Sequence, residues 1–160
     1  MLAGALLGGG PVAAQAPAVG DSVPAPTPAQ ERYLDGLKTV GRGVAQLKDG
    51  VTRVGRYQSD STQLRLAGQR LGGLCGSGGS FLRQGRARMA HTAYADSVRV
   101  IARRLNAQVD ALIGFLPTCQ RQAGREPQEM AAGVLALLRD YEVALQRFRE
   151  AVILPAAARS

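Results

Sequence analysis

The residues of this chain best suited to chemistry are two cysteines, one histidine and a run of arginines. The single histidine, His91, would have to carry any Ser-His-Asp triad alone, and no GxSxG or Cys-His context supports one. Two cysteines and a distant histidine offer no CxxC or HxxxH spacing, so no metal site is expected. A Glu-x-x-His pairing for a di-metal bundle is missing, as is a CxxCH haem attachment. The GSGGS run at 76–80 lacks the Lys-Ser/Thr of a phosphate loop and no strand precedes it, so it reads as a turn. Asp35, Asp49, Asp140 and Glu142 fall on polar helix faces, and Tyr141 and Phe148 are spaced as core. No cofactor is expected, and acid, base, nucleophile and metal are all hard to assemble. The reading is therefore not an enzyme.

The arginines point elsewhere. The net charge of the 160-residue chain is +8, and the excess is local. Residues 1–60 carry six basic and five acidic groups, and residues 126–160 four and five. Residues 61–125 carry ten basic groups against Asp96 and Asp110 alone. Arg83, Arg86, Arg88, Arg99, Arg103 and Arg104 are the candidate anion contacts, because guanidinium groups bind carboxylate or phosphate by paired hydrogen bonds. A recognised nucleic-acid motif is absent, so nucleic acid is an unlikely partner. An acidic protein, an anionic membrane surface or an acidic polymer fits better. The plain alternative is a solvated basic face.

Cys75 and Cys119 gain meaning from the N-terminus. Residues 1–16, MLAGALLGGGPVAAQA, resemble a secretory signal peptide, with an apolar stretch from Leu2 to Ala14 and a small-x-small site at Ala14-Gln15-Ala16. The positive segment that usually opens such a leader is missing. The apolar run is too short and Gly-rich to span a membrane, and no transmembrane span is expected in the mature chain. Residues 17–27 form a Pro-rich linker and 154–160 a tail. A periplasmic or secreted location follows, and an exported chain oxidises its cysteines. A Cys75–Cys119 disulfide would close a loop of roughly 45 residues, worth about 4 kcal/mol on the chain-entropy model.

The elements that position these groups are helical. Aromatic residues make up only 4% of the chain, so its core must be aliphatic, which suits helix–helix packing. Thr27, Pro28 and Gln30 give a capping-box start. From there Tyr33, Leu37, Val40, Val44, Leu47, Val51 and Val54 repeat at heptad spacing. Gly36, Gly43 and Gly50 recur every seven residues beside that seam. Such a stripe predicts a face where another helix, or a partner, approaches closely. Ser59 or Asp60 could cap a second helix with Leu64, Ala67, Leu71 and Leu74 inward, unless one bent helix runs through. Tyr94, Val98, Ile101, Leu105, Leu112 and Phe115 mark a third, with Gln108 on its seam and Pro117 as its stop. Pro127 opens a fourth, whose seam runs from Met130 through Tyr141 and Phe148 to Ala151 and ends before Pro155.

The spacing predicts an all-α, up-down bundle of three to four long helices, about 28–57, 60–75, 91–116 and 127–153, in one domain at 28–153. One straight helix over 81–116 would be about 54 Å long. It would hold the cysteines far beyond the ~7 Å that a disulfide allows between Cα atoms. The bridge therefore predicts a crossover at 76–90. The function expected is that of an exported, non-enzymatic interaction or structural module with a protein partner or a homo-oligomer. The alternative is binding to an anionic envelope surface through the 83–104 arginines.

Overall fold

The computed structural model describes residues 25–157, with side chains through Val152. The leader at 1–16 and most of the 17–27 linker lie outside the described residues.

Four helices follow one another: α1 (Pro28–Arg56), α2 (Ser61–Arg86), α3 (Asp96–Gln122) and α4 (Pro127–Ala157). They form the expected all-α, up-down bundle. Each packs on its neighbours in sequence, and α4 returns against α1. The capping box is formed: the Thr27 hydroxyl accepts from Gln30 N–H, and the Gln30 side chain accepts from Thr27 N–H at 2.9 Å. Asp60 caps α2 by accepting from the N–H groups of Thr62 and Gln63, so α1 and α2 are separate helices.

The crossover expected at 76–90 is not there. α2 continues through Gly76, Gly78 and Gly79 to Arg86, and the chain turns over 87–95 around a single 3-10 turn at His91–Ala93. The glycines do not break the helix because its neighbours use them. A Cβ on Gly85 would sit 2.5 Å from the Gly36 carbonyl, and one on Gly78 would sit 3.3 Å from the Gly43 carbonyl. Glycine costs about 1 kcal/mol relative to Ala in an isolated helix. Here it lets two backbones approach, and their close packing outweighs that loss. Pro117 does not stop α3 either. Its ring is exposed, while Leu116, Cys119 and Ala123 around it are fully buried. Those anchors hold the last turn against a proline cost of about 3 kcal/mol. At the far end the backbone of α4 passes Pro155 and ends at Ala157. Pro155 falls in the final turn, where it forgoes one backbone donor bond without ending the helix.

The disulfide is compatible with long helices because α2 and α3 are offset. Arg86, at the end of α2, pairs with Asp110, so roughly 20 Å of α3 extends beyond it. The 87–95 connection fills the space that α2 leaves. Met89 and Tyr94 from this segment are buried, and the Met89 carbonyl accepts from the Asn106 amide at 2.7 Å. Further along, Cys75 and Cys119 stand level, with Cα atoms 6.1 Å apart and a disulfide between them.

Candidate interaction surface

The site residues divide into three places. The glycine seam is the first. Gly36, Gly43 and Gly50 are all buried, and what they face is α2 of the same chain. A Cβ on Gly36 would meet the Gly85 carbonyl at 2.6 Å, and one on Gly50 would meet the Leu71 side chain at 2.7 Å. The seam is the centre of the α1–α2 contact rather than its flank, and no surface is left there for an external partner.

The arginines are the second. No two of them share a partner among the described residues. Arg86 is held by Asp110: Nη2 donates to Oδ2 at 3.0 Å, while Nε lies 2.9 Å from Oδ1 in an off-line approach. Arg99 Nε donates to the Tyr94 carbonyl at 2.9 Å, closing the start of α3. Arg83 leans on Ser80 through a long contact of 3.4 Å, and Arg88 and Arg103 are exposed. Arg104 lines a groove between α3 and α4.

That groove is the third place. It encloses about 830 Å³. Ile101, Arg104 and Gln108 form its α3 wall, and Asp140, Val143 and Arg147 its α4 wall. Gln108 thus lies on a rim, half-buried. The floor is apolar, with Ala144 and Ala151 between the walls. Val143 is 53% exposed, the most exposed large apolar side chain among the described residues. Arg104, Asp140 and Arg147 take part in no ion pair among the described residues, although each stands at the groove. The arrangement is an apolar trough with unpaired charges of both signs on its edges. No family model matches the chain, and no curated protein or solved structure matches it.

The core is filled by large buried side chains. Tyr33, Tyr94 and Phe148 form an aromatic cluster, with each pair of ring centroids 5.2–5.3 Å apart. Beside it is the one buried polar side chain among the described residues. Asn106 accepts from the Tyr33 hydroxyl at 3.0 Å and donates to the Met89 carbonyl. Burial raises the Tyr33 and Tyr94 hydroxyls above the ordinary tyrosine range and pushes Tyr141 up to about 12. These are the signs of a core that excludes water. Sequence reasoning missed Asn106 because it read the α3 seam through Ile101 and Gln108. The better signal was the run Leu105, Val109, Leu112, Leu116 and Cys119, which keeps heptad spacing through Pro117 and puts Asn106 on the buried side.

His91 is half-buried in the 3-10 turn. No group of three His, Cys, Asp or Glu side chains gathers among the described residues. Of their helices, none is long and apolar enough to cross a membrane.

Proposed function

We propose that this is an exported, non-enzymatic interaction module, a disulfide-stapled helical bundle that offers its α3–α4 groove to a protein partner. The observation that carries the proposal is Val143: a large apolar side chain more than half exposed, in a trough edged by Arg104, Asp140 and Arg147, which form no ion pair among the described residues. Isolated exposed apolar residues need no explanation, but one lining a concave surface with convergent polar groups marks a contact site. The buried Cys75–Cys119 pair supports an oxidising, periplasmic or extracellular setting. The leader-like residues 1–16 support the same setting.

The test is purification of the chain from its native envelope without reductant, as wild type and as Val143→Asp. The expected result is a mature chain starting at Pro17 and a stable association that Val143→Asp abolishes at unchanged melting temperature. A chain that retains residues 1–16, or that associates equally well with Asp at 143, overturns the proposal.

A further inference from the structure

The pattern along α4 indicates what occupies the groove. Ala136, Asp140, Val143 and Arg147 follow one another at spacings of four, three and four, so they form one stripe, which half-buried Ala151 completes. Read from its other end, the stripe is Ala151, Arg147, Ala144 beside Val143, Asp140 and Ala136. The apolar positions coincide and the charges exchange sign. Two such helices laid antiparallel about a two-fold axis next to Val143 bring the Asp140 of each against the Arg147 of the other. Ala136 meets Ala151, and Val143 meets Ala144. Parallel pairing in register would set Asp140 against Asp140 and Arg147 against Arg147, so the charges fix the direction as well as the register. Arg104, on the α3 wall of the same groove, supplies a second guanidinium for the incoming Asp140.

We infer that the partner is a second copy of this chain, in a two-fold dimer with α4 of each copy lying antiparallel along the α3–α4 groove of the other. The inference rests on the groove being a docking surface, as proposed above, and names its occupant. A two-fold interface uses the same patch on both subunits and must be self-complementary, which this stripe is. Its small side chains at 136, 144 and 151 allow the helices to approach, and Val143 supplies the apolar centre.

Sedimentation equilibrium of the purified, oxidised chain over about 1–200 μM tests this. The wild type is expected to show a reversible monomer–dimer equilibrium. Asp140→Arg and Arg147→Asp should each weaken it at least about tenfold, because each sets like charges together twice in a homodimer. Both side chains are exposed, so far-UV circular dichroism and melting temperature should not move. An equimolar mixture of the two variants should regain dimer. One chain then carries only arginine at 140 and 147 and the other only aspartate, so every cross-pair is opposite in sign. Misfolding cannot produce that rescue. A wild type that stays monomeric throughout overturns self-association. So do single variants that dimerise like the wild type, or a mixture no better than its components. A monomeric chain that still holds a different protein through Val143 in the envelope experiment would sink only the dimer and leave the groove reading standing.

Discussion

At the residue scale the glycines make two opposite predictions. A Cβ added to Gly36 or Gly85 would meet the other's carbonyl oxygen at 2.6 or 2.5 Å, and backbone cannot yield as the end of a flexible side chain can. Alanine at either position should lower stability by about 1–3 kcal/mol, the usual range for overpacking. Gly41 and Gly73 are helical, exposed and have open space where a Cβ would go. Alanine at either should raise stability by about 0.4–1 kcal/mol, by narrowing the unfolded ensemble. Urea denaturation of the four variants checks both signs. Gly41→Ala and Gly36→Ala differ only in which face of α1 they touch, so equal effects would refute the close-approach account. The tyrosines set a pH limit. Burial raises the native pKa of Tyr33, Tyr94 and Tyr141, the last to about 12, above the unfolded value near 10. Below pH ~10 both states keep these protons and stability does not depend on them. Above it the unfolded chain loses protons that the native chain still holds, so stability falls as pH rises through the native values. Tyrosinate absorbance from these three should appear together with loss of helix. Ionisation of all three in a folded chain would show that the cluster is not sealed.

At the scale of elements, the disulfide is the strongest single constraint. It closes a 44-residue separation and ties the middle of α2 to the last turn of α3. Replacing both cysteines by alanine should lower unfolding free energy by about 4 kcal/mol in urea titrations. A loss under about 1 kcal/mol would mean that the unfolded chain without the bridge already keeps residual structure that limits it. The helices show where sequence reading works and where it stops. Thr27-Pro28-Gln30, Asp60 and Pro127 announce their helix starts, because caps act through local backbone groups. The cysteine pair could be argued from compartment and distance limits. The path of 76–86 could not. Gly76, Gly78 and Gly79 look like breakers in isolation, and only the α1 backbone at Gly78 and the α3 side chains of Gln120 and Leu116 at Gly76 and Gly79 make a helix the lower-energy choice. Pro117 misleads for the same reason, since Leu116 and Cys119 outvote it through contacts distant in sequence. The α3–α4 groove was not foreseen because Arg104 looked like one of six equivalent arginines. Its separation from Arg86 depends on which flank of α3 each neighbour occupies, Asp110 on one and Arg147 on the other.

At the scale of the whole molecule the bundle is unevenly built. α1 and α2 meet through glycines with their backbones in contact, and a covalent bond joins α2 to α3. α4 has no disulfide and no such backbone seam; its Gly133 meets the Phe115 ring of α3 instead. Side chains such as Met130, Val134, Leu138, Tyr141 and Phe148 hold it in place, and it flanks the open groove. Backbone contacts and a disulfide are stiff, whereas interdigitated side chains can slide past one another over small distances. The compliance of the molecule is therefore concentrated at one joint. A load applied in the groove should displace α4 more readily than the other three helices. The groove can widen or narrow to fit what enters it without disturbing the α1–α2 seam on the opposite side.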